Sequence, residues 1–417
     1  MPRFIVNGGK KLKGTVTVSG SKNAALPIIC ASLLSKEETV LTNVPDIADI
    51  HSMIKIIEAM GVKMSFENNI LKIDPSKLKA NSVPNTLVMK MRASILILGS
   101  LLPRVGEVKM AFPGGCVLGK RSVHAHTHAL KELGCKILDD KRGLHIKAGK
   151  LKGKKVILPE LSVTATENAV MAATLAEGET EIRLAANEPH VQDLCHFLKK
   201  MGAKITGIGT NNLKITGVKS LSGGKHRITG DYLEAGTYAI AAAGTGGDVT
   251  IKGIDPDQLD SLWQKMDEMG IKFELFKDSV RVMGVNKMKA VKSLRTAVYP
   301  SFATDLQAPF AVLLTKAKGV SKVFETLFEG RLNYLFELEK MGAHIEFMNP
   351  HQALVIGPTK LKGIPISSCD IRAGAAMVVA ALMAEGETEI SNINYIDRGY
   401  EKLSIKLKSL GADIERA

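Results

Sequence analysis

The chain has 417 residues, 45% of them apolar and 24% charged, and a net charge of +14. That length leads us to expect two or three domains of ordinary globular composition. No apolar run reaches the ~20 residues that span a bilayer, and the opening stretch MPRFIVNGGKKLKG has no apolar signal core. Five cysteines without a Cys-x-x-Cys pair argue against a disulfide framework or a zinc site, so a cytoplasmic protein with reduced thiols is expected. The lysines are scattered and aromatics are only 5%, which leaves no stacking platform for nucleic acid. A small anionic substrate suits the charge.

In chain order, the first expected elements are strands within FIVNGGKKLKGTVTVSG. A helix apolar on all faces follows, NAALPIICASLL, then a strand after SKEETVL, an amphipathic helix HSMIKIIEAMG and a hairpin. The succession then recurs. MGVKM, LGCKI, MGAKI, MGIKF, MGAHI and LGADI place a glycine at 61, 134, 202, 270, 342 and 411, at intervals of 68 to 73 residues. A glycine closing an amphipathic helix reads as a left-handed cap, with a strand after it. Helices apolar all round belong inside a domain. The sixth copy stops after LGADIERA, without its second hairpin strand, and the N-terminal strands resemble the missing piece, so they are expected to pair with the C-terminal unit. The expectation is six βαβαββ units, three per domain around buried helices. One domain would cover residues 21–228 and the other 1–20 plus 229–417, with an active site in the cleft between them. A solenoid is the alternative, but units this long suit compact domains better.

Each buried helix starts with polar residues: Lys22 and Asn23, Arg92, Thr166 to Asn168, Asp231 and Glu234, Asp305 and Gln307, Asp370 and Arg372. Capping accounts for Asp231 and Asp305. It does not account for Lys22, Arg92 or Arg372, because a helix start already carries partial positive charge. A bound anion would compensate for them.

Cys30, Cys135 and Cys195 sit in apolar patterns and read as packing residues, and Cys369 is ambiguous. Cys116 differs. It lies in AFPGGCVLGKR, after two glycines and before Lys120 and Arg121, where nearby cations favour thiolate. A Gly-rich loop of this kind reads as a lid. His124, His126 and His128 cannot share one helix face; His124 and His128 could pair, but no matching Cys or carboxylate spacing accompanies them, and no metal is expected. Neither a P-loop nor a Rossmann fingerprint is present.

SGSKNA, PGGC, TDLQAPF and DIRAGAA, within six repeats covering the whole chain, resemble the enolpyruvyl transferases. The PGGC segment points to the branch acting on UDP-N-acetylglucosamine rather than shikimate 3-phosphate. The resemblance implies an inside-out α/β barrel of two domains. It also implies transfer of enolpyruvate from phosphoenolpyruvate to the 3-hydroxyl of UDP-N-acetylglucosamine, the first committed step of peptidoglycan synthesis, with no cofactor. By motif, Lys22, Arg121 and Arg398 would hold the phosphate of phosphoenolpyruvate. Arg331, Arg372 and Arg398 would grip its carboxylate, with Arg92 a further cleft arginine. Asn23 would contact the sugar, and Asp305 would act as base at its hydroxyl. Cys116 would deliver a proton to the methylene carbon. Asp370 could support an oxocarbenium-like centre. Glu188, His126, Ser162 and Val163 are carried over as further substrate contacts. The chain departs from the usual pattern at Ser122, His124, Glu160 and Tyr232; His124 stands where an aspartate reading uracil is expected, and Glu160 where a lysine near the uracil ring is usual. The alternative is a diverged transferase, or a nucleotide-sugar binding protein, with a different acceptor.

Overall fold

A computed structural model describes residues 2–79, 83–114, 122–138 and 143–417. The described residues fall into two compact units. One takes both chain ends, up to Ser19 and from Gly230 onward; the other takes the stretch from Gly20 to Thr229.

The expected repeat is seen most plainly in its third copy. Strand Lys155–Ile157 leads into helix Val163–Ala173, strand Glu179–Arg183, helix Pro189–Lys200 and the hairpin Lys204–Thr206 with Asn212–Thr216. The strands flanking the first helix run parallel, and the hairpin adds antiparallel on the other side. Five further sheets are built on variants of this scheme.

The apolar segments form six interior helices: α1 (Lys22–Ala31), α2 (Ile97–Val105), α3 (Val163–Ala173), α4 (Tyr232–Thr245), α5 (Thr304–Leu314) and α6 (Ile371–Met383). Every residue of α4 is buried, as a helix without a polar face requires. In the unit built from both chain ends, α4, α5 and α6 pack on one another pairwise. Small residues permit that approach: a Cβ on Gly244 would stand 2.5 Å from the Met383 sulfur. In the other unit, α2 packs against both α1 and α3.

All six helix-ending glycines have positive φ, from 78° at Gly270 to 105° at Gly202. The residue after the glycine donates back into the helix, for example Ala203 to the Leu198 carbonyl at 2.9 Å and Ala412 to Leu407 at 3.0 Å. This is the Schellman arrangement.

Phe4–Asn7 runs antiparallel between Glu387–Ser391 and Asp413–Arg416, so the chain start completes the last sheet. Lys13–Thr17 goes elsewhere, parallel to Asp248–Lys252. Lys225–Arg227 correspondingly pairs with Thr39–Thr42. The two strands that precede α1 and α4 are therefore exchanged: each leads into a helix of one unit while pairing in the sheet of the other.

Candidate active site

In the unit built from both chain ends, the sites centre on Asp305. It is the second residue of α5, whose N-cap is Ala303. The capping role expected for Asp305 is not what the carboxylate does. Oδ1 accepts from Arg331 Nη2 at 3.2 Å and Oδ2 from Arg372 Nε at 2.9 Å. Asp231 and Asp370 do cap: Asp231 Oδ1 takes the N–H groups of Leu233 and Glu234, and Asp370 Oδ1 those of Arg372 and Ala373.

Both arginines are almost wholly buried, Arg331 at 3% exposure and Arg372 at 4%. Burial pushes the Arg372 pKa down, yet Tyr400, Asp305 and Asp231 together carry it well above the ordinary guanidinium value. Its guanidinium lies 5.2 Å from the Tyr400 ring centre, and that hydroxyl meets Thr237 Oγ1 at 2.9 Å. Arg331 lies over Phe328. Arg331 Nε and Nη1, and Arg372 Nη1, are buried without a hydrogen-bond partner among the described residues. Uncompensated guanidinium donors are costly to bury. Two guanidiniums share one carboxylate here, with donors left over, an arrangement chemically suited to an anion. Arg398 ends the turn Ile393–Arg398, half-buried and two residues before Tyr400.

Sequence reasoning passed over two residues that build this cluster. Glu325 is fully buried and accepts from Leu327 N, Phe328 N and Thr304 Oγ1, which fixes the loop leading to Arg331. Tyr400 supports Arg372. In the sequence, only the acidic residue in the mostly apolar VFETLF hinted at the first.

In the unit from Gly20 to Thr229, Lys22 opens α1 and its ammonium lies 3.5 Å from Asp49, both nearly buried. The cation thus already has a carboxylate at the helix start. Asn23 follows it, half-buried. Arg92 begins the short helix Arg92–Leu96, which packs against α1, and donates to the Ser122 carbonyl at 2.7 Å. His126 is 1% exposed. Burial, with the charge of Arg92, pushes its pKa down to about 3, so it is neutral. Ser162 is the N-cap of α3 and Val163 its first residue. Glu188 occupies the N-cap of Pro189–Lys200. Glu167 is buried in α3, and burial together with Glu188 pushes its carboxyl well above the usual range. His124 and His128 face each other at 6.0 Å between ring centroids, while His126 points inward.

Cys30, Cys135 and Cys195 are buried packing residues, and burial raises each thiol, to about 12 for Cys135 and Cys195. Cys116 and Arg121 lie outside the described residues. Among the described residues no three His, Cys, Asp or Glu side chains gather as a metal site, and no helix is long and apolar enough to cross a membrane.

Fold and buried cations define a class: a repeat-built α/β protein arranged to receive a small, strongly anionic molecule. The family described as EPSP synthase (3-phosphoshikimate 1-carboxyvinyltransferase) matches residues 6–407. A UDP-N-acetylglucosamine 1-carboxyvinyltransferase of Halothermothrix orenii is 46% identical over the whole of both chains. A relative of the same name from Caldanaerobacter subterraneus subsp. tengcongensis is 44% identical over 100% of this chain and 99% of that one. The crystal structure of the enolpyruvyl transferase NikO from Streptomyces tendae superposes with TM-score 0.89 at 23% identity, covering 100% and 99% of the two chains. EPSP synthase from Acinetobacter baumannii gives 0.77 at 19%, over the full length of each. The chain belongs to the EPSP synthase family of enolpyruvyl transferases, and the two-domain α/β architecture expected from the repeats holds.

Proposed function

We propose that this protein transfers the enolpyruvyl group of phosphoenolpyruvate to the 3-hydroxyl of UDP-N-acetylglucosamine and releases phosphate. The full-length relatives bearing that name support the reading. The observation that carries it is the pair of buried arginines around Asp305, whose leftover N–H donors suit a carboxylate. The reaction is the first committed step of peptidoglycan synthesis, and we assign it to the cytoplasm.

Arg331 and Arg372, with Arg398, hold the carboxylate of phosphoenolpyruvate. Lys22, Arg121 and Arg398 hold its phosphate, and Arg92 adds positive charge. Cys116 protonates the methylene carbon while the sugar hydroxyl bonds to the adjacent carbon, and Asp305 accepts the hydroxyl proton. The tetrahedral product then loses a methyl proton and expels phosphate, which restores the double bond. Because the Asp305 carboxylate is held between two cations, the proton it takes is readily passed on. Asp370 faces its own helix start with one oxygen and keeps the other for the positive charge developing at the reacting carbon. Asn23, Ser162, Val163, His126 and Glu188 contact the acceptor.

Phosphate release from phosphoenolpyruvate and UDP-N-acetylglucosamine tests the reading. Wild type should turn over, and Arg331→Met or Arg372→Met should each lower kcat/KM by about a hundredfold or more. Absence of release with this acceptor, alongside release with another nucleotide sugar, would move the assignment to the diverged acceptor that His124 and Glu160 suggest.

A further inference from the structure

Asn168 lies one turn into α3 and is completely buried. Its side chain touches three elements. Nδ2 donates to the Ile95 carbonyl at 3.0 Å and lies 2.9 Å from His126 Nδ1. Oδ1 accepts the Gly99 N–H at 2.8 Å. These partners fix which way the amide points. The flipped amide would set oxygen against the Ile95 carbonyl and N–H against the Gly99 N–H, two repulsive contacts in place of two hydrogen bonds. An amide nitrogen only donates, so His126 Nδ1 must be the acceptor. The ring proton then sits on Nε2, which reaches Thr164 Oγ1 at 3.2 Å.

We infer that Asn168 is a positioning residue: its amide locks His126 as the neutral Nε2–H tautomer and, through Ile95, anchors the short helix that begins at Arg92. The histidine then offers one directed N–H toward Thr164, and never a cation. Arg92 is the charged group whose field reaches it. Both residues belong to the reading in which His126 and Arg92 contact substrate; the tautomer assignment does not depend on it. Asn168→Asp keeps the size and the Gly99 contact but removes both donors. An aspartate there needs the proton on Nδ1, which reverses the tautomer and leaves the Ile95 carbonyl unpaired.

Long-range proton–nitrogen correlation NMR on the full chain, labelled with ¹⁵N-histidine and assigned through His126→Gln, tests this directly. Wild-type His126 should show a protonated Nε2 and an unprotonated Nδ1, unchanged from pH 5.5 to 8. An Nδ1–H form, a mixture or a cation at pH 6 would overturn the proposal without any variant. Asn168→Asp should reverse the pattern and raise KM for the nucleotide sugar about tenfold, with kcat within threefold. A folded Asn168→Asp protein with unchanged tautomer and KM would also refute it. Should wild type fail to turn over UDP-N-acetylglucosamine, the functional reading falls, while the wild-type spectrum still decides the role of Asn168.

Discussion

Asp305 answers two guanidiniums with one carboxylate. It therefore serves as a resident counter-ion, and substitution separates that task from the base role we propose for it. Asp305→Asn should lower kcat by about 10²- to 10⁴-fold through loss of the base. The same change leaves Arg331 and Arg372 without their internal anion, so phosphoenolpyruvate should bind more tightly to the variant in titration calorimetry, not more weakly. His126 gives a second prediction. Its folded pKa of about 3 lies below that of the unfolded chain, so the unfolded state takes up protons first as pH falls. Its stabilising contribution is complete above about pH 6.5 and shrinks toward pH 3. Between pH 6.5 and 5 this amounts to about 2 kcal/mol. In urea titrations at pH 7 and 5, His126→Gln should lose about that much less than wild type. Thiol chemistry gives a third. Cys30, Cys135 and Cys195 are buried with raised pKa values, so they should stay unmodified in the native protein. The epoxide fosfomycin should add once, at Cys116, as read by intact mass and peptide mapping. At this scale the sequence was a partial guide. Lys22, Arg92 and Arg372 stood out because cations are misplaced at helix starts. Asp305 looked like a cap because aspartate so often is one, and only the positions of Arg331 and Arg372, 26 and 67 residues away, reveal otherwise.

Elements were far more legible. A glycine that must adopt positive φ leaves a mark at each of six helix ends, and a helix with no polar face declares itself interior. Both signals are local, so they survive in a single sequence. The cost of disturbing them can be stated. Gly202→Ala meets no atom within 4 Å but must hold φ near 105°, so about 1 kcal/mol of stability should be lost through backbone strain alone. Gly244→Ala has ordinary helical geometry, but its methyl would meet the Met383 sulfur at 2.5 Å. Overpacking there should cost about 1–3 kcal/mol, and Gly244→Ala combined with Met383→Leu should recover part of it in denaturant titrations. Strand pairing was the illegible part. The repeats led us to expect the N-terminal strands beside the last unit, where Phe4–Asn7 does pair, but not that Lys13–Thr17 pairs with Asp248–Lys252 or Lys225–Arg227 with Thr39–Thr42. Parallel pairing across more than 180 residues leaves no trace in local pattern.

At the scale of the whole molecule, the exchange of strands has a consequence for how the protein is made. The part from Gly20 to Thr229 holds all its own strands and can close as soon as that length has left the ribosome. The remainder cannot. Its opening strand, Phe4–Asn7, has no neighbour until Glu387–Ser391 and Asp413–Arg416 are synthesised. Phe4–Asn7 thus emerges long before its partners and must wait as a bare edge until they follow. Arrested nascent chains ending near residue 260 should already protect the middle segment from protease, while Phe4–Asn7 stays cleavable until Glu387–Ser391 and Asp413–Arg416 have emerged.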